Sequence, residues 1–514
     1  MNRVSGMLRL VGLFLLICIS LRAELAVPAL VETRGIPKIS DELARKIKPY
    51  LNIRTTQFQD WQVSGADVTV LVTFRPEKGQ VNQLHVLNKP REKPRQITFG
   101  RNPVRRAVLN PLNDRSIIFL RDEGGSERYQ VFHFDLATGK TIRVTDGKNR
   151  HTGIHWSPKG NQIAYFSPKR NGRDNDLYVS DLSRPENEKL LIKLTGGGWG
   201  IEDWSSDGRM ILVMEYLSIN ESRIHIVDAQ TGVISSLTPK LKIPVSYQNA
   251  RFDPNLRAVY FTSDDGFDFQ RLTRLDLESG GYRYYLPQLK WDVESMEVSP
   301  DGRTLAVVAN EGGASRLRLL NANSGVEIWE AASPQGVIST LRWGSKDELM
   351  YGLSSELLSG QVVHCDVESN ERLNWMKTGL SGINIDRLSI PVREEMRSAD
   401  GSRLDAWIYR PGRIVNGRFL PTIPVRPLPV VILFHGGPES QFRPRFMGRY
   451  NYLISEEKIV IICPNIRGSR GYGKKFLKAD NGREREKVLF DIEKIYNAIA
   501  ADPSLDQNRI AVMG

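Results

Sequence analysis

Trp156-Ser157-Pro158-Lys159-Gly160, running into the apolar Ile163, Ala164 and Tyr165, is the stretch that decides the fold. Related phrases stand at Trp204-Ser205-Ser206-Asp207-Gly208, Phe252-Asp253-Pro254, Val298-Ser299-Pro300-Asp301-Gly302 and Trp343-Gly344-Ser345. Looser copies lie upstream at Leu109-Asn110-Pro111 and Gln62-Val63-Ser64. Their third residues fall at 64, 111, 158, 206, 254, 300 and 345, in steps of 47, 47, 48, 48, 46 and 45. A second phrase, Asp135-Leu136-Ala137-Thr138-Gly139, keeps the same beat, with counterparts starting at Asp181, Asp228, Asp276, Asn321 and Asp366. Two independent phrases in one register identify an internal repeat.

Each repeat has the same internal logic. The first phrase supplies a backbone bend. A β-rich run follows, such as Met210–Glu215 or Arg303–Val308. A further strand, such as Asp176–Ser180 or Arg223–Val227, ends in the Asp-x-x-x-Gly turn, and a short run such as Lys140–Val144 or Val233–Leu237 closes the unit. Four short strands in about 46 residues make one propeller blade. Seven repeats predict a seven-bladed β-propeller over residues 53–382, with an irregular β-sandwich array as the alternative. The tryptophans that open several repeats are expected to pack blade against blade.

Composition limits the other classes. With 40% hydrophobic and 25% charged residues, the chain can bury a core and is not a disordered polymer. The net charge of +12 is not gathered into a Lys/Arg tract or a basic helix, so no nucleic-acid partner is expected. At the N-terminus, Arg3 and Arg9 precede an uncharged run from Leu10 to Leu21, with Ser20 and Ala23 close by. That run is shorter than the about 20 residues a membrane span needs. It reads as a secretory signal peptide over residues 1–23, with a buried N-terminal helix as the alternative. Ile17 is too large for the position before a lipoprotein Cys18. No later segment reaches spanning length, so an exported chain, periplasmic or secreted, is expected. Residues 24–52 form a segment with one short helix. Cys365 and Cys463 are expected as two free buried thiols rather than a disulfide. The i, i+4 pair His151 and His155 sits on a strand, where the two side chains stand about 13 Å apart, so no metal site is expected. Gly196–Gly200 is followed by no helix and is no nucleotide loop. No cofactor is expected.

After Gly382 the pattern changes. Pro391–Glu395, a turn at Asp400-Gly401 and Leu404–Arg410 read as a hairpin. Pro429–Phe434, Ile459–Cys463 and Arg509–Met513 are continuous apolar runs, as strands buried on both faces require. Helices are expected at Arg443–Glu457 and Glu484–Ala501. This alternation predicts a parallel α/β sheet over 383–514. Directly after one buried run comes His435-Gly436-Gly437-Pro438, whose glycines let the backbone turn and present N–H groups, as the oxyanion loop of α/β hydrolases does. A simple glycine-rich turn is the bland alternative.

Pro464-Asn465-Ile466-Arg467-Gly468-Ser469-Arg470-Gly471-Tyr472-Gly473 resembles the N-x-R-G-S-x-G-Y-G loop of the prolyl oligopeptidase family of serine peptidases. With the preceding propeller and the H-G-G-P loop, the resemblance covers nearly the whole chain after residue 23. It is nearest to the acylaminoacyl-peptidase and dipeptidyl-peptidase-like bacterial branch. It implies that Gly437 gives its N–H to the oxyanion hole, that Arg467, Gly468 and Tyr472 lie in a loop supporting the active site, and that His435 is structural. It also implies short peptide substrates.

One departure matters. In such relatives the strand matching Arg509–Met513 runs into G-x-S-x-G, and Gly514 would be its first glycine. The order Ser, Asp, His then puts all three catalytic residues beyond Gly514, with none in residues 1–514. Six of the seven histidines (His85, His133, His151, His155, His225, His364) lie in the propeller region and the seventh is His435. The expectation is a seven-bladed propeller followed by an incomplete α/β-hydrolase domain, inactive as residues 1–514. A non-catalytic exported propeller scaffold and an esterase on the same fold are the alternatives. Cleavage mode and oligomeric state stay open at this stage.

Overall fold

The computed structural model describes residues 27–77, 79–330, 336–437 and 439–514. The expected signal peptide at 1–23 and Pro438 of the glycine loop lie outside the described residues. Seven antiparallel four-stranded sheets follow one another along the chain, at 57–96, 104–143, 152–192, 199–236, 247–284, 292–330 and 337–377. They are blades 1 to 7 of the propeller.

The repeated phrases build the turns within each blade. In blade 3, the Ser157 hydroxyl accepts the Gln162 N–H (3.1 Å) and the Gly160 N–H donates to the Ser157 carbonyl (2.9 Å). Gly160 has φ +64°, a left-handed conformation that a β-carbon resists. The same serine bond recurs from Met210 N to Ser205 (2.8 Å) and from Thr304 N to Ser299 (2.9 Å). The second phrase closes the outer hairpin. Asp135, Asp228, Asp276 and Asp366 each accept the N–H three residues on, from Thr138, Thr231, Ser279 and Ser369 at 2.6–2.9 Å. Asn321 accepts from Ser324 in the same way (2.9 Å).

Tryptophans stitch neighbouring blades. The indole N–H of Trp156 donates to the Val108 carbonyl of blade 2 (3.2 Å), and that of Trp343 to the Glu297 carbonyl of blade 6 (3.2 Å). Trp61 does the same to Arg342 (3.0 Å) and so joins blade 1 to blade 7. Each of these two blades is one continuous piece of chain. Their junction is held by that indole, by the Thr56 N–H donating to Thr378 Oγ1 (3.0 Å), and by a shared apolar cluster including Phe58, Met350 and Trp375. The central channel is lined by charged residues of the innermost strands, where Glu297 pairs with both Arg251 and Arg342.

Helix α1, Asp41–Leu51, precedes the ring, with Ser40 accepting the Leu43 N–H as its cap (3.2 Å). Beyond the ring, five strands form one sheet: β1 Val392–Arg397, β2 Arg403–Tyr409, β3 Leu428–Leu433, β4 Val460–Asn465 and β5 Leu505–Met513. Their order is β1-β2-β4-β3-β5. β4, β3 and β5 run parallel, while β1 pairs antiparallel with β2 and β2 antiparallel with β4, so the sheet is mixed rather than wholly parallel. Two short helices, α2 Asn451–Ser455 and α3 Lys474–Leu477, and the longer α4 Val488–Ala501 complete the unit. Ile495 and Ile499 of α4 cover one face with Ala406, Ile432 and Ile462, while Ile454 of α2 covers the other with Trp407, Val431 and Ile461.

The helix expected over Arg443–Glu457 is only a 3-10 turn, Gly448–Tyr450, followed by α2. Pro444 has no N–H to give, and Gly448 takes φ +57°. The preceding segment is drawn out instead to reach the propeller. Cys365 and Cys463 are both free and buried. No helix among the described residues is long and apolar enough to cross a membrane.

Candidate active site

The site begins where β3 and β5 end side by side. Parallel pairing puts Leu433 opposite Met513, and the Phe434 N–H donates to the Met513 carbonyl (2.7 Å). A β-carbon on Gly514 would stand 3.8 Å from Phe434. The loop then turns through His435, Gly436 and Gly437. Gly437 has φ +129°, and a β-carbon there would meet the Glu439 nitrogen at 2.7 Å, so only glycine fits. The Gly436 carbonyl lies 3.1 Å from His435 Nδ1. A trans peptide opposes its C=O and N–H, so the Gly437 N–H points away from the imidazole. It meets no acceptor among the described residues.

His435 ties this loop to the second motif. Its Nε2 lies 2.9 Å from Ser469 Oγ, whose hydroxyl donates to the Ile466 carbonyl (2.6 Å). Burial, and then the nearby charge of Arg470, hold its pKa below the usual imidazole range.

Arg467 is almost wholly buried and stands between two carboxylates. Its Nε and Nη2 donate to Asp491 (3.0 and 2.7 Å), and its two terminal nitrogens to Asp400 (2.8 and 3.2 Å). Asp491 also accepts the Arg467 backbone N–H (2.9 Å) and pairs with the Ser398 hydroxyl. The guanidinium pulls the Asp400 carboxyl well below its usual range. Tyr472 accepts a bond from Asn465 Nδ2 (2.9 Å), and Asn465 grips the backbone of Phe442 at both its N–H (2.7 Å) and its carbonyl (3.0 Å). Gly468, at φ +93°, packs against the Asp480 carboxylate, where a β-carbon would stand 2.4 Å from it. The Arg467–Tyr472 loop is thus bolted to α4 on one side and to the segment after the glycine loop on the other.

That segment reaches across to the propeller. Arg443 donates to the Gly313 carbonyl (2.7 Å), to Glu294 (2.7 Å) and to Ser315 (3.1 Å). Asn310 bridges Glu294 (2.9 Å) and Gln441 (2.7 Å). Lys474, next to the motif, pairs with Asp264 of blade 5 (3.0 Å). Blades 5 and 6 therefore cover the site. Helix α1 adds a further strap, since the Tyr50 hydroxyl donates to Glu456 (2.8 Å).

His435, Gly437, Arg467, Gly468 and Tyr472 thus come together around the ends of β3 and β4. The sequence reading missed Asp491, Asp400, Asn465 and Arg443 as organisers. Asp491 did leave a signal, as an acid in register with Ile495 and Ile499 on the buried stripe of α4. Arg443 left none, since its partners lie in another domain. His151 and His155 turn to different carbonyls, those of Tyr129 (3.2 Å) and Trp156 (3.0 Å).

A family model described as the prolyl oligopeptidase N-terminal β-propeller domain matches residues 108–378, and one described as the prolyl oligopeptidase family matches residues 444–514. Dipeptidyl-peptidase 5 of Porphyromonas gingivalis is 22% identical over 338 residues, covering 61% of this chain and 46% of that protein. Dipeptidyl aminopeptidase BIII of Pseudoxanthomonas mexicana is 23% identical over 419 residues, covering 78% of this chain and 58% of its own length. The chain spans about half the length of these curated relatives. Among solved structures, a puromycin hydrolase superposes with a TM-score of 0.75 at 16% identity, over 91% of this chain and 74% of that one.

Proposed function

The chain belongs to the prolyl oligopeptidase family, and from that premise we propose that it supplies the propeller and oxyanion loop of an exported serine peptidase acting on short peptides. One observation carries the proposal. The parallel pairing of β3 and β5 brings residue 514 beside Phe434, one residue before the loop that holds the Gly437 N–H, which meets no acceptor among the described residues. A serine two residues after Gly514 would then face that N–H, as acyl transfer requires. The serine would attack the peptide carbonyl, a histidine would take and return the proton, and an aspartate would orient it. The Gly437 N–H, with the N–H after the serine, would hold the oxyanion. None of the three triad residues stands in residues 1–514 on this reading.

The test compares two purified polypeptides, residues 24–514 and the same chain extended far enough to include the serine, aspartate and histidine that this reading places after Gly514. The extended protein should hydrolyse peptide p-nitroanilides and be labelled by a fluorophosphonate, and the shorter one should do neither. Serine-reagent-sensitive hydrolysis by residues 24–514 alone would overturn the placement of the triad. Export rests on residues 1–23. Fused to alkaline phosphatase lacking its own leader, they should give phosphatase activity outside the cytoplasm.

A further inference from the structure

A cavity of about 580 Å³ lies between the blade 1–blade 7 junction, the end of α1 and the 445–449 segment of the second domain. Its size is that of a ligand site. Two arginines line it, Arg445 and Arg449, together with the hydroxyls of Thr55, Ser339 and Ser354. No carboxylate lines it among the described residues. The propeller channel differs, because there Glu297 takes up both Arg251 and Arg342.

Arg445 is the notable group. Its backbone carbonyl accepts the Tyr409 hydroxyl (3.1 Å), which fixes the main chain. Its guanidinium has no hydrogen bond or ion pair among the described residues, and the residue is exposed and lines the cavity. The acid whose charge acts on it, Glu294, is already held by Arg443 and Asn310. The charge of Arg470 acts on both Arg445 and His435, and Arg470 has no ion pair among the described residues. A guanidinium short of a counter-charge among the described residues, in a cavity also lined by Thr55, Ser339 and Ser354, matches a planar carboxylate, which it can grip with two parallel N–H bonds. The position is tied to the site, because Phe442, three residues before Arg445, is the residue whose backbone Asn465 clamps.

We propose that this cavity receives a carboxylate of a bound peptide, with Arg445 as its main contact and a specificity-determining residue. The carboxylate is an acidic side chain or a free C-terminus. The proposal rests on the peptidase reading for its choice of a peptide, but not on the triad.

Binding to the purified chain tests it, by fluorescence anisotropy with three labelled peptides. Two are C-terminally amidated and differ only in one Glu or Gln, and the third is the Gln peptide with a free C-terminus. At least one carboxylate peptide should bind about tenfold more tightly than the amidated Gln peptide, and which one does so identifies the source. The advantage should vanish in Arg445→Gln and shrink in Arg445→Lys, which keeps the charge and loses the fork. Because the Arg445 side chain has no partner among the described residues, the variants should melt as the wild type does, and Arg449→Gln should reduce the advantage less. Equal binding of all three peptides, no binding of any, or an advantage that survives Arg445→Gln would overturn the proposal. Hydrolysis by the extended protein reads the peptidase assignment separately. Carboxylate preference without hydrolysis sinks that assignment alone, and hydrolysis without preference sinks only this one.

Discussion

The propeller and the C-terminal sheet put similar apolar strands into opposite situations. In blade 4, Ile211, Leu212 and Val213 are wholly buried in a strand paired on both sides. In β5, Ala511, Val512 and Met513 are exposed along a strand that, among the described residues, pairs on one side. The polar bonds differ in the same way. Blade turns are closed by serine and aspartate bonds that span three to five residues. The C-terminal unit is held by charges brought from far apart, such as Arg467 with Asp491 and Asp400. A blade completes itself locally, whereas the sheet depends on groups that only the finished fold assembles.

The sharpest way to break that contrast is Asp491→Ala. It leaves the buried Arg467 with Asp400 alone, and removing one partner of a buried pair costs about 3–5 kcal/mol. Limited proteolysis on heating should cut the C-terminal unit several degrees earlier and leave the propeller resistant. If both regions lost resistance together, they would form one cooperative unit and the contrast would fail.

An acid-stability measurement should mark the propeller instead. His85 is buried in blade 1, stacked on Phe74, and burial lowers its pKa to about 4. Such a histidine takes its proton only on unfolding. Its contribution is therefore complete above about pH 6.5 and is lost as pH falls toward 4. Going from pH 7 to pH 5, His85→Gln should gain about 2 kcal/mol relative to the wild type in urea unfolding. An unchanged difference would show that the imidazole is not held neutral.

The smallest effect concerns the ring's own seam. Trp61→Phe removes the indole bond between blades 1 and 7, and Trp156→Phe removes its counterpart between blades 3 and 2. Each should cost about 1 kcal/mol. Hydrogen exchange should nevertheless quicken across all of blade 1 in Trp61→Phe and only near the substitution in Trp156→Phe, because blade 1 is a chain terminus of the ring. Equal exchange patterns would mean that the seam is no weaker than an internal junction.

How much was legible follows from the same distinction. The seven blades could be counted from sequence because Ser157 and Asp135 act on atoms a few residues away, so the chemistry repeats wherever the phrase does. The glycine loop and the Asn465–Gly473 motif were legible because backbone conformations such as the φ +129° of Gly437 restrict residue identity at the position itself. The expected helix over 443–457 failed at Pro444 and Gly448, which the sequence did show, and through one contact that it did not. Arg443 is drawn out to Glu294, 149 residues earlier in the chain, and no local propensity records that attraction.

The sequence by itself therefore determined the ring, its number of blades and the place of the glycine loop after β3, since each depends on short-range bonds and on conformations few residues adopt. Only the tertiary structure decided that Asp491 anchors Arg467, that blades 5 and 6 cover the site, and that Arg445 faces a cavity without a counter-charge. Burial and pairing of charge are properties of what surrounds a residue in space, and those surroundings come from segments far apart along the chain.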